Sequence, residues 1–154
     1  MLKKHIEKIL KLGTIWSVFL LIGSVLLQIF ARFFLAQAPS WTEEVSRLCF
    51  IFSVAFASPL ALKSNYYIHL DVFFNMFSNI WKRRINTLIL ICVFILFFVL
   101  AFASIKFVVM GFTENSPSMG IKMGIAFSSM LILGITMCYF IGLKLIKHLK
   151  KPQP

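Results

Sequence analysis

The chain has 154 residues, with 16 Lys and Arg against five acids for a formal net charge of +11, 60% hydrophobic residues and a mean hydropathy of +0.90. Too little polar surface remains to cover segments this apolar, which excludes a water-soluble globular core. The positive charges are broken up by apolar runs and sit beside them rather than forming one stripe, so they indicate attraction to anionic headgroups of a phospholipid bilayer and no nucleic-acid partner.

Four apolar runs follow one another, at about residues 12–35, 45–62, 85–105 and 123–146. Each is close to the ~20 residues that a helix needs to cross a hydrocarbon layer of about 30 Å. The expectation is an all-α integral membrane protein, one membrane domain over residues 1–154 with four transmembrane helices. The segments before the first run, between the second and third, and after the fourth hold Lys3, Lys4, Lys8, Lys11, then Lys63, Lys82, Arg83, Arg84, then Lys144, Lys147, Lys150 and Lys151. Those are twelve of the sixteen basic residues; the other two connections hold Arg32, Arg47, Lys106 and Lys122 beside three of the five acids. The bias places both termini in the cytoplasm, an N-in/C-in topology.

The first run ends near Ala36-Gln37-Ala38, which has the small-x-small look of a processing site. The run is longer than the core of a signal peptide, contains Arg32, and would leave Pro39 beside the cut, so it reads as an uncleaved anchor. Next comes the densest polar motif, Ser40-Trp41-Thr42-Glu43-Glu44-Val45-Ser46-Arg47. Ser40 and Glu43 have capping-box spacing, and both acids lie where the helix dipole favours negative charge. Glu43 and Arg47 stand in the favourable i, i+4 order. Local helix stability accounts for part of this pattern. The other reading is a four-charge cluster of Arg32, Glu43, Glu44 and Arg47 at the membrane edge, which ties the first two helices together or faces a partner.

In the second run Pro59 removes the bond to the Ala55 carbonyl and bends the last turn. Between the second and third runs, at about residues 66–82, Asp71, Asn75, Ser78, Asn79 and Lys82 fall on one side and Leu70, Phe73, Phe74, Phe77 and Trp81 on the other. This is the pattern of an amphipathic helix. It suits a helix lying at the cytoplasmic interface and anchored by Trp81, Lys82, Arg83 and Arg84. Packing on a partner protein, or the start of the third span, are the rival readings. Into the fourth run, Gly120, Gly124 and Ser128 recur at i, i+4, i+8, a small-residue ridge along which another helix can approach.

No Asp, Glu, His, Lys or Arg lies within the spans away from their ends, where an ionisable group costs about 2.5 kcal/mol or more and is kept to handle ions or substrate. Polar groups at depth, such as Ser24, Gln28, Ser53, Ser128, Ser129 and Thr136, can bond to their own helix or to a neighbour. Haem ligation wants facing mid-span His, yet His5, His69 and His148 fall in cytoplasmic connections or tails. Cys49, Cys92 and Cys138 form no paired motif and read as apolar packers. The inventory points to a chain that supports transport or assembly without catalysis, cofactor or metal of its own. An autonomous homo-oligomeric four-helix carrier or channel is the alternative.

Ala31-Arg32, an eight-residue gap, Trp41-Thr42-Glu43-Glu44-x-x-Arg47, Asp71 within Ile68-His69-Leu70-Asp71, and Ser116-Pro117-x-Met119-Gly120-Ile121 recur in this order along nearly the whole chain. In these features the sequence resembles the DctQ-like small membrane subunits of tripartite ATP-independent periplasmic (TRAP) transporters. It departs from the family pattern at Tyr67, where His is frequent, and at Lys122 and Ile132, where Pro is frequent. The resemblance implies a non-catalytic small permease subunit in the bacterial inner membrane, paired with a large TRAP membrane subunit that carries substrate and sodium. It further implies a periplasmic substrate-binding protein that delivers an organic anion such as a dicarboxylate, sialic acid or another sugar acid. On that reading Arg32, Trp41, Glu43, Glu44 and Arg47 are the candidate subunit or docking interface.

Overall fold

In the segment before the first apolar run, Lys3, Glu7 and Lys11 are spaced i, i+4, i+8 on one helix face, with opposite charges alternating. Nothing in this segment breaks a helix, so the helix of the first span has no reason to start at its apolar part. A computed structural model describes residues 2–34, 39–64 and 79–150, and in it the first helix, α1, runs over Leu2–Phe34. The others are α2 over Trp41–Lys63, α3 over Asn79–Gly111 and α4 over Met123–Lys150. At 1.5 Å per residue the 33 residues of α1 and of α3 extend about 50 Å, beyond the hydrocarbon layer. All four are long and apolar enough to cross a membrane.

Residues 79–82, expected in the interfacial segment, instead open α3, and Trp81, Lys82, Arg83 and Arg84 form its first turns. The helix continues through them because neither Gly nor Pro interrupts residues 79–110. The rest of the proposed amphipathic helix, residues 66–78, lies outside the described residues.

Among the described residues α1 packs on α2, α3 packs on α4, and α2 packs on α4. The helices therefore lie in the order α1, α2, α4, α3, two antiparallel hairpins joined through their second helices. The consequence is unequal cover: 33% of the most apolar stretch of α4 is buried but only 11% of that of α1 or α3. Phe19, Phe33 and Phe102 are correspondingly exposed. In a bilayer such faces meet lipid or another membrane protein. At the end carrying Leu2, Lys63, Asn79 and Lys150, all four helices contribute to one apolar cluster of Leu10, Leu62, Leu90, Met137, Phe140 and Ile141. This is the basic end of the molecule.

Within the α3–α4 hairpin, backbones come close. A Cβ on Gly111 would lie 2.6 Å from the Gly124 nitrogen, and one on Gly134 would lie 2.8 Å from the Ala101 Cβ. The close approach thus runs through Gly111, Gly124, Ala101 and Gly134, and of the expected ridge of Gly120, Gly124 and Ser128 it includes Gly124. Gly120 stands outside α4, in the preceding loop at φ 67°, and Ser128 turns its hydroxyl to the Ile125 carbonyl at 2.6 Å. Ser24, Ser53, Ser129 and Thr136 likewise donate to carbonyls three or four residues back. Within a span, that satisfies a hydroxyl without a partner helix.

Candidate functional site

At the end opposite the basic one, the first turn of α2 meets the α3–α4 connection. The first turn of α2 is not held by the expected capping box. Ser40 already has helical φ and ψ, −61° and −26°, and makes no side-chain cap bond. An N-cap serine reaches the helix amides from an extended backbone, a conformation Ser40 lacks. Thr42 closes the turn instead: its amide and its hydroxyl both donate to the Pro39 carbonyl, at 3.2 and 2.7 Å. Thr42 is 1% exposed. The Glu43 carboxylate turns along the helix to accept from the Arg47 guanidinium at 3.0 Å, on the exposed face.

Glu44 points the other way, toward the loop of residues 112–122. This loop is a short turn of its own. The Ser116 amide donates to the Ile121 carbonyl at 2.8 Å, Gly120 donates back to Ser116 at 3.0 Å, and Met123 donates to Glu114 at 3.1 Å. Asn115 and Lys122 form an antiparallel bridge across it. Gly120, at φ 67°, lets the chain reverse, since a side chain there would sit in the left-handed region. The turn leaves amides 118 and 119 pointing at α2, where the Glu44 carboxylate takes both: Oε1 accepts from Ser118 N at 3.0 Å and Oε2 from Met119 N at 3.0 Å. The buried Ser116 hydroxyl also donates to Oε2. One carboxylate thus clasps the α3–α4 connection to the start of α2.

Three hydrogen bonds to one carboxylate from a distant loop restrain it more than one solvent-screened ion pair within a helix does. Of the two adjacent acids, Glu44 is therefore the one that fixes geometry. Beside the clasp lies a cavity of about 200 Å³, lined by Arg47, Leu48, Ile51, Met119, Lys122 and Ala126 among others. Glu44 lines it too, so it presents a carboxylate and two cations above an apolar floor.

The expected four-charge cluster is not formed. Glu43 pairs with Arg47 within α2, and Arg32 stands exposed near the end of α1. The reason is local: Glu43 finds Arg47 within its own helix, and Glu44 is taken by the loop. Trp41, 45% exposed, lies at the start of α2. At the basic end Trp81 is also exposed, and the Arg84 guanidinium lies 5.9 Å from its ring centre, within cation–π range. Sequence reasoning missed Ser116, Ser118 and Met119 as the partners of Glu44. Their separation of 72 to 75 residues leaves no local signal. A hint was present in an acid with Leu48 rather than a cation at i+4.

Residues 21–151 match the family model described as tripartite ATP-independent periplasmic transporters, DctQ component. A protein of Haemophilus influenzae named as a TRAP transporter small permease protein is 21% identical over 148 residues, covering 96% of this chain and 90% of that protein.

Proposed function

Because the chain belongs to the DctQ component family of the tripartite ATP-independent periplasmic transporters, we propose that it braces a large membrane subunit that itself moves substrate and sodium. It is a TRAP transporter small permease subunit and a multi-pass inner-membrane protein. In the proposal it holds no cofactor, performs no catalysis, and serves the uptake of an organic anion such as a dicarboxylate, sialic acid or another sugar acid. Both termini lie in the cytoplasm, which puts the Glu44 clasp on the periplasmic side.

The observation that carries the reading is the helix order α1, α2, α4, α3 with its uncovered apolar faces. A row of this kind offers a long side to a moving partner and an equally long side to lipid, and its spans hold no ionisable group at depth with which to move a solute. Arg32, Trp41, Glu43 and Arg47 stand at the outer edge as contacts for the large subunit or for the periplasmic substrate-binding protein. Glu44 acts behind them by holding the 112–122 loop in place. Replacing it, Glu44→Gln, removes an acceptor oxygen and the charge. With the loop no longer held by the full set of bonds, uptake by the assembled transporter is expected to fall roughly tenfold at unchanged membrane abundance. Unchanged uptake rejects a functional role for that carboxylate.

A further inference from the structure

At the basic end, where α1, α2 and α4 meet, lies a second cavity, of about 190 Å³. Its rim carries Lys3 from α1, Lys63 from α2, and Lys144 and Lys147 from α4, and its walls include Leu62 and Phe140. Leu62 and Phe140 belong to the apolar cluster that closes this end of the molecule. The rim is tied together by Lys63, whose ammonium donates to Glu7 Oε2 at 2.7 Å, so α1 and α2 are held at a fixed spacing beside the opening. Among the described residues Glu7 is the carboxylate paired at this rim, beside the four lysines.

The function described above does not account for this site. Topology requires basic residues at this end but not their convergence on one cavity from three helices. Nor is the cavity large enough for a typical organic ligand, whose pockets run from about 300 Å³ upward.

We propose that this cavity binds the phosphate headgroup of one anionic phospholipid. Three features select a lipid over free phosphate. The lysines stand at the ends of three spans, Lys3–Phe34, Trp41–Lys63 and Met123–His148, where headgroups lie. The wall beneath them is apolar, which suits the glycerol ester and the first methylenes of the acyl chains and does nothing for a hydrated inorganic ion. Lysine itself lays an apolar stem along such a wall while its ammonium reaches the headgroup plane. Bound there, the lipid bridges α1 and α4 across the end of α2 and fastens the basic end of the helix row.

The test uses the purified full-length chain in neutral detergent, with retained lipid counted by native mass spectrometry against added phosphatidylglycerol or phosphatidylcholine. One phosphatidylglycerol per chain is expected, in clear preference to phosphatidylcholine and undisturbed by millimolar inorganic phosphate. A basic residue near an anionic surface is worth roughly fivefold in binding, so the double substitution Lys144→Gln/Lys147→Gln is expected to weaken retention more than about tenfold. The double substitution Lys4→Gln/Lys8→Gln removes the same charge from the same end outside the cavity, and is expected to leave retention within about twofold of the parent. Helical content by circular dichroism identifies any variant that has failed to fold, and Lys3→Gln/Lys147→Gln then takes its place. Equal retention of the two lipids, equal loss in both double variants, or displacement by inorganic phosphate would each overturn the assignment.

Discussion

Glu43 and Glu44 are neighbours of identical chemistry with different tasks, and their surroundings separate them. Glu43 pairs on the exposed face with Arg47, their side chains 65% and 72% exposed, where solvent screens the attraction. Glu44 accepts two amides and a hydroxyl from a loop more than seventy residues away. Removing the acceptor, as in Glu44→Ala, frees amides 118 and 119, and their hydrogen exchange is expected to quicken about 10- to 100-fold, as the loss of one charged hydrogen bond implies. Glu43→Ala is expected to leave exchange at those amides unchanged. Exchange mass spectrometry on the chain in micelles checks both; equal protection in the two variants contradicts the clasp. The motif around Trp41 could be found in the sequence because its residues are adjacent. Its internal division could not, because the partner that distinguishes Glu44 comes from another connection.

At the scale of the helices, spans were the most legible feature. A membrane-crossing helix must satisfy its own backbone and present apolar side chains for its full length, and both demands are written locally. Helix ends were less so. The expected starts at residues 12 and 85 mark where apolar character begins, whereas α1 and α3 begin at Leu2 and Asn79 because charged residues continue a helix readily. Packing positions were read only in part: spacing alone picked out Gly120, Gly124 and Ser128, but contact depends on which residue of the facing helix is also small. Gly111 and Gly124 meet backbone to backbone. Gly111→Ala is expected to lower stability by about 1–3 kcal/mol through forced separation of α3 and α4. Gly23→Ala, with open space around it, is expected to be neutral or to stabilise by up to about 1 kcal/mol. Denaturation midpoints in a single detergent compare the two, and a similar response from both contradicts the close approach.

For the whole molecule, the helix row with four ends at one basic face and two connections at the other ties the charge pattern to the fold. Sequence gave the number of spans and their orientation bias, but not the order α1, α2, α4, α3, which depends on side-chain fit between helices remote in the chain. With Cys49, Cys92 and Cys138 replaced by Ser, a thiol introduced by Glu114→Cys is expected to react with an impermeant reagent added outside cells, and one introduced by Lys4→Cys only after the membrane is opened. The reverse pattern contradicts the topology. The proposed function has this chain brace a transporter without itself transporting. Its most direct test is reconstitution of the purified chain alone into proteoliposomes under a sodium gradient, with uptake of a labelled organic anion measured beside vesicles that also hold the large membrane subunit and the periplasmic binding protein. Uptake against the gradient is predicted only in the complete vesicles; accumulation by the chain alone would overturn the bracing role.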